Sequence, residues 1–359
     1  MKVLHLPTSV GGNSWSLAQG EKALGLESEV LVSAPSWANY RADINLDLSA
    51  VPSRIGKVAK LASAFLSLRG RYDVFHFNFG SSLVHFPQFH LNQFELPFYP
   101  RRAALFATYN GCDARQKYPT MQRAKIAACH NPNCYAGQCN SGVLDRYRRE
   151  GIAKMSRYVR HMWAVNPDLL YFLPPGKSSF LPYAVDSQGM ERCPPRLDAR
   201  KLKIVHAPTN RVVKGTEHII AALDRLARTR PEAVEFRLVE NVPHEQALKL
   251  YRDADLVIDQ LLVGWYGGFA VELMMMGKPV IARVSAEDLH FIPGAMAREV
   301  TEAFINVVPD TLYETLLQCI DDRSFLAQRA QAGEEYAHRW HDAAYVAGLT
   351  RQKYEEALV

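Results

Sequence analysis

Apolar residues cluster along this chain in short runs, and between the runs they recur at three- and four-residue spacing, the mark of buried strands alternating with helices. Residues 3–6 (VLHL) predict a first strand, Gly11 and Gly12 break it, and Ser14 is placed to cap a helix through about Ala23, ended by Gly25. Residues 29–32 (EVLV) follow as a second strand. Residues 53–68 carry Ile55, Val58, Leu61, Ala62, Phe65 and Leu66 at helical spacing, and 72–79 (YDVFHFNF) are a β-rich run. A buried strand at 104–109 stops before Asn110-Gly111, 145–160 form a basic helix, and a strand at 162–165 meets a turn at Asn166-Pro167. This alternation predicts a parallel sheet covered on both faces.

Pro174, Pro175, Gly176, Pro182, Pro194 and Pro195 punctuate a stretch with little periodicity, after which the alternation restarts at Leu202. Strands at 203–206, 235–240, 256–260 and 279–283 alternate with helices at 215–228, 244–253 and 268–276, and residues 311–345 are mostly helical. The expected organisation is an N-terminal Rossmann-like domain over 1–185, a linker over 186–200, and a C-terminal domain over 201–359 whose last helix is a candidate to pack back on the first domain. The fold class is α/β, two doubly wound domains facing across a cleft, since open α/β sheets bind ligands at the carboxyl ends of their strands. The 359 residues agree with about two domains.

A net charge of +5, spread rather than blocked, calls for no nucleic acid and implies a mild attraction for anionic ligands. No apolar stretch approaches the length of a membrane span and the N-terminus has no signal-peptide pattern, so the cytosol is the default compartment.

The chemistry concentrates in two stretches. In 255–283 a buried strand runs into a glycine-rich turn, Gly264 to Gly268, which bares backbone N–H groups at the start of a helix, where the macrodipole favours an anion; this is a candidate diphosphate cradle. Glu272 lies one turn into that helix among apolar neighbours and needs either a buried partner or a ligand's hydroxyl pair. In 204–220 a strand ends at His206, and Arg211 and Lys214 precede a helix expected to be capped near Thr216, so two cations meet a helix N-terminus. Neither a Walker spacing nor a G-x-G-x-x-G turn is present, which argues against a P-loop NTPase or a dinucleotide dehydrogenase.

These motifs, with YRDADLVIDQ and GGFAVELMMMGKPVIA in the second half and VLHLPTSVGG, YDVFHFN, YNGCDAR and FLPYAVD in the first, resemble the retaining family 4 of GT-B glycosyltransferases over nearly the whole chain. The resemblance implies a nucleoside diphosphate sugar donor in the C-terminal domain, an acceptor (glycan, lipid-linked sugar or small molecule) in the N-terminal domain, transfer with retention, and no catalytic metal or other cofactor. Arg211 and Lys214 would stabilise the departing diphosphate, Glu272 would bind the ribose hydroxyls, and Gly267, Gly268 and Phe269 would offer amides. Gly11 and Gly12 would approach the phosphates from the other domain. Two positions depart from the family pattern: Gly264 stands where its Glu-x7-Glu begins, and Asn110 stands for its loop histidine, leaving a neutral amide at the reaction centre. A βα unit is missing between Leu238 and His244, so base contacts fall to residues 240–244.

His76 and Asn78 end a first-domain strand and are candidates to face the acceptor, with an ordered strand-end histidine as the alternative. Asp113 and Arg115 read as braces of the Asn110 loop, with action on substrate as the alternative. Cys112, Cys129, Cys134 and Cys139, with His130 as a substitute, could converge on a structural zinc that staples the 110–140 segment, against unlinked thiols or a disulfide. The basic helices around Lys57 and Arg148 are candidates for peripheral contact with an anionic membrane, against plain solvated faces. Two other functions compete with transfer: a sugar-nucleotide epimerase and a non-catalytic nucleotide-sugar-binding subunit.

Overall fold

Strand β1 (Lys2–Leu6) is buried at every position but its first, and a strand with apolar side chains on both faces must be covered on both. The structure, a computed structural model, describes residues 1–35, 38–86 and 91–359. It divides into two compact units: Met1–Gln116 with Val143–Asp186 and Asp342–Val359, and Lys117–Gly142 with Ser187–His341. Two segments thus cross the boundary expected at 186–200. Residues 117–142 count with the second unit and 342–359 with the first.

The first unit holds a seven-stranded parallel sheet in the order β3-β2-β1-β4-β5-β6-β7, with β2 Glu27–Val32, β3 Ile44–Asn45, β4 Val74–Asn78, β5 Ala104–Tyr109, β6 His161–Ala164 and β7 Ser178–Phe180. Alternate residues go to opposite faces. Val3, Val74 and Phe106 pack with Leu17 of α1 (Asn13–Ala23) and with Val346 and Tyr354 of the closing helix, Ala343–Leu358. Leu4, Leu6, Phe75 and Phe77 pack with Leu61 and Leu68 of α2 (Arg54–Leu68) and with Ile152 and Met155 of α3 (Val143–Ser156).

The second unit holds a five-stranded parallel sheet in the order β9-β8-β10-β11-β12, with β8 Leu202–His206, β9 Val234–Leu238, β10 Leu256–Ile258, β11 Val280–Ala282 and β12 Phe304–Asn306. Its helices include α4 (Arg211–Lys214), α5 (Thr216–Thr229), α6 (His244–Tyr251) and α7 (Gly268–Met275). From Ser187 on, the stretch expected to be a linker is tied down within this unit. Cys193 donates its N–H to Met276 O at 2.9 Å, and Asp255 accepts from the Arg196 guanidinium at 2.8 Å and from the Lys203 amide at 2.9 Å.

A polar seam runs through the first unit's core. Glu21, fully buried, accepts from Ser28 Oγ at 2.6 Å and Thr350 Oγ1 at 3.2 Å and faces His5 Nε2 at 2.8 Å. His76, expected to face an acceptor, is fully buried beside this seam, its ring nitrogens engaged by Tyr354 OH and Thr108 Oγ1, both at 2.6 Å. It fastens the closing helix to the sheet, and burial holds it well below the ordinary histidine range. Tyr354→Phe is expected to cost about 1–3 kcal/mol in urea unfolding, because one nitrogen of His76 loses its partner in the core. Glu355→Ala, which removes an exposed pair with Arg351, should cost about 0.5 kcal/mol or less. Equal effects would overturn the seam's structural role.

Candidate functional site

In an open parallel sheet the ligand crevice opens where adjacent strands send their connections to opposite sides, and in the second sheet that point lies between β8 and β10. His206 ends β8, fully buried. Its Nδ1–H donates to Ile258 O at 2.8 Å, leaving Nε2 to accept from the Thr216 hydroxyl at 2.8 Å. Burial pushes the imidazole down to about 4, so it is neutral near pH 7. Thr216, expected as a cap, therefore clamps α5 to the sheet, and Gly215 precedes that helix without a side-chain cap. The cap belongs to a separate single turn, α4, where Asn210 Oδ1 accepts from Val213 N at 3.0 Å.

That turn carries Arg211 and Lys214, and the fold gives each an acid. Arg211 makes two parallel bonds to Glu240, at 2.9 and 2.7 Å. Lys214 Nζ lies 2.5 Å from Oδ1 of the fully buried Asp259, just past β10, whose other oxygen accepts from Gly267 N at 2.7 Å. The Gly267 amide, expected to serve a ligand, is thus spent on Asp259. A Cβ on Gly267 would lie 3.2 Å from Lys214 Nζ, so a larger residue there would press on the pair. The amides of Gly268 and Phe269 remain, ahead of the internal hydrogen bonds of α7. Glu272, one turn further, faces His244 Nε2 at 2.8 Å. Burial works against charge on His244, but the Glu272 carboxylate more than offsets it, and the imidazole titrates above its ordinary value. Asp259 carried no assigned role in the sequence, and His244, expected at the end of the base-contact stretch 240–244, is instead paired with Glu272; an acid just after a buried strand was the available signal for the first.

The glycine-rich turn is pinned rather than slack. Trp265 and Tyr266 are buried, Tyr266 stacks on Phe304, and its hydroxyl meets His341 Nε2 at 2.9 Å. Gly264 has φ +85°, where side chains are strained, and a Cβ there would lie 3.3 Å from Arg283 Nη1. A guanidinium occupies the neighbourhood in which the family pattern has a carboxylate.

The first unit's carboxyl edge is built differently. Gly11 and Gly12, both at positive φ, lead into α1 with no side-chain cap, and Ser14, expected there, donates to Thr8 O at 3.0 Å. Asp113 braces the next loop by accepting from the amides of Asn110, at 3.0 Å, and Gly111, at 2.6 Å. Desolvation pushes its carboxyl up to about 6 despite these donors. Arg115 is committed to Asp168 at 2.6 Å. Asn110 Oδ1, Asn166 Oδ1, Tyr109 OH, Thr8 Oγ1 and Ser9 Oγ are buried without a partner among the described residues. Each such atom costs about 1–3 kcal/mol unless a ligand or water supplies the bond. They end or follow β1, β5 and β6 at one edge of one sheet.

Cys112 lies in the first unit and Cys129, Cys134 and Cys139 in the second. Among the described residues no three His, Cys, Asp or Glu side chains are grouped to hold a metal ion, and His130 Nε2 donates to Ala124 O at 2.8 Å. What fastens the 117–142 segment is hydrogen bonding within the second unit: Ala128 N to Leu262 O at 3.0 Å, Arg123 to Asp288 at 2.8 Å, and Arg283 to Ile126 O at 2.9 Å. No described helix is long and apolar enough to cross a membrane.

No protein-family model matches the chain, and no curated sequence matches it. Solved structures do. Sucrose-phosphate synthase from Thermosynechococcus elongatus superposes with a TM-score of 0.63 at 15% identity, over 99% of this chain and 98% of that one. The S. aureus MnaA–UDP complex gives 0.52 at 12% identity, over 100% and 97%. UDP-GlcNAc 2-epimerase from Neisseria meningitidis, bound to UDP-GlcNAc, gives 0.51 at 13%, over 99% and 100%. These likenesses show the fold, GT-B, with two Rossmann-like α/β domains.

The raised imidazole of His244 gives a signed expectation. Its pair with Glu272 is complete below the ordinary histidine value of about 6.5 and fades as pH rises through the higher folded value. His244→Ala should therefore cost about 1 kcal/mol of stability near pH 6 and measurably less near pH 9. A cost that is constant with pH in urea unfolding contradicts the pairing.

Proposed function

We propose that this protein is a glycosyltransferase that moves a sugar from a nucleoside diphosphate sugar to a hydroxyl of a glycan, lipid-linked sugar or small molecule, with retention. One observation carries the reading: Arg211 and Lys214 on the turn after β8, and Glu272 and the first amides of α7 after β10, follow the two strands that flank the switch point of the second sheet, each side chain held by Glu240, Asp259 or His244. A diphosphate seated on the α7 amides would share Lys214, which keeps further N–H donors beyond the one given to Asp259. It would exchange with Glu240 for Arg211, an exposed pair of the kind worth about 1 kcal/mol or less. Glu272 accepts from ribose hydroxyls as His244 steadies it. The sugar–diphosphate bond then breaks with its developing charge stabilised by fixed donors, the acceptor oxygen takes the sugar, and the hydroxyl proton leaves with the diphosphate. The partnerless amides and hydroxyls of the first unit suit a hydroxyl-rich acceptor, with Asn110 supplying an uncharged hydrogen bond. The UDP and UDP-GlcNAc complexes among the structural neighbours support a nucleotide-sugar partner.

Epimerisation of a nucleotide sugar is a second reading, favoured by Asp113: a carboxyl pushed up to about 6 is suited to moving protons near neutrality. Its oxygens are committed to the Asn110 and Gly111 amides, which supports transfer instead.

Lys214→Ala and Glu272→Ala are each expected to weaken calorimetric binding of a nucleoside diphosphate about tenfold or more, the loss of one charge-assisted hydrogen bond. Incubation with uridine, guanosine and deoxythymidine diphosphate sugars then separates the readings. Nucleotide release that requires a hydroxyl acceptor supports transfer, an epimeric sugar nucleotide formed without acceptor supports the second reading, and tight binding with no turnover on any donor overturns both in favour of a binding subunit.

A further inference from the structure

Helix α2 sends only Leu61 and Leu68 fully into the core. Ile55 and Leu66 lie on the side turned away from these two, Val58 lies between the two sides, and they are 83%, 64% and 53% exposed. The strap that follows in space continues this surface. Arg69, at the end of α2, donates to Phe98 O at 3.3 Å, Arg102 donates to Gly70 O at 2.8 Å, and Phe98 and Phe94, 5.8 Å apart, are 52% and 55% exposed. Single exposed apolar residues need no explanation, but five large ones along one helix and the strap tied to its end do.

The charge around them selects the occupant. Residues 54–71 contain Arg54, Lys57, Lys60, Arg69 and Arg71 and no Asp or Glu, and the strap adds the exposed Arg101 and Arg102. A second copy of the chain would bring the same positive charge face to face, which disfavours a self-complementary interface. A bilayer with anionic headgroups matches both features, because apolar side chains enter the acyl boundary while lysine and arginine reach back to phosphates. We propose that α2 and the 94–102 strap form a docking surface for an anionic lipid bilayer. Ile55, Leu66, Phe94 and Phe98 enter the interface, and the surrounding cations hold the headgroups. The inference rests on exposure and charge in the first unit and stands whether or not the nucleotide-sugar reading does.

Flotation of the whole protein with vesicles of equal parts phosphatidylglycerol and phosphatidylcholine, against phosphatidylcholine alone, tests it. The parent should partition to the anionic vesicles about tenfold or more over the neutral ones, and less at high salt. Ile55→Asp with Leu66→Asp should abolish partition, and Lys60→Glu with Arg101→Glu should lower it about tenfold or more; all four positions are exposed, and unchanged circular dichroism and melting establish that the variants fold. The proposal is overturned if the parent shows no preference for anionic vesicles, or if folded variants bind as the parent does. It is equally overturned if the parent ignores vesicles and the apolar substitutions instead convert an oligomer to a monomer, which would assign the surface to a second copy.

Discussion

Asp259 is fully buried at the end of a parallel strand, and a carboxylate in that position is tolerated only if its oxygens are fully engaged. One takes the Lys214 ammonium and the other the Gly267 amide. The local fold of the second unit follows from this demand. Lys214 reaches Asp259 because Asn210 closes a separate turn before α5 and Gly215, at φ +76°, redirects the chain after it. A side chain at Gly267 would crowd the pair, because its Cβ would lie 3.2 Å from Lys214 Nζ. The arrangement fixes a cation and a helix N-terminus at one point before any ligand arrives, so an anion that binds there finds these donors in place and only Arg211 has to leave its acid.

The two strand edges of the molecule solve different problems. The second unit's edge is ionic, with each cation matched to an acid. The first unit's edge carries neutral amides and hydroxyls, some without partners, its cation–acid pair, Arg115 with Asp168, is closed on itself, and a further acid, Asp113, is turned onto the backbone. An ionic edge suits a diphosphate and a neutral one suits hydroxyls.

Much of this was legible in the sequence because buried parallel strands are short apolar runs and their helices are amphipathic; the stretches at 3–6, 104–109 and 203–206 fall in strands, and the strand expected at 256–260 ends at Ile258. Strand β12, three residues long, is too short to show a period. The break between α4 and α5 was hidden because Asn210 and Thr216 are both good caps, and only tertiary packing assigns Thr216 to His206. His76 looked functional because a histidine near a strand end is chemically conspicuous, whereas its partner, Tyr354, lies 278 residues away. The same distance problem concealed His244 behind Glu272 and placed the cysteine-bearing segment, 117–142, in the second unit. Pairings across the chain leave no periodic trace.

The dependence of the anion site on Asp259 is the claim most open to direct attack. Calorimetric titration of uridine and guanosine diphosphate into Asp259→Asn, compared with the parent, measures it. An asparagine leaves the Lys214 ammonium without its countercharge and can turn an N–H toward the Gly267 amide, so affinity should fall about tenfold or more for whichever nucleotide the parent binds. A folded variant that binds that nucleotide with the parent's affinity would contradict the account.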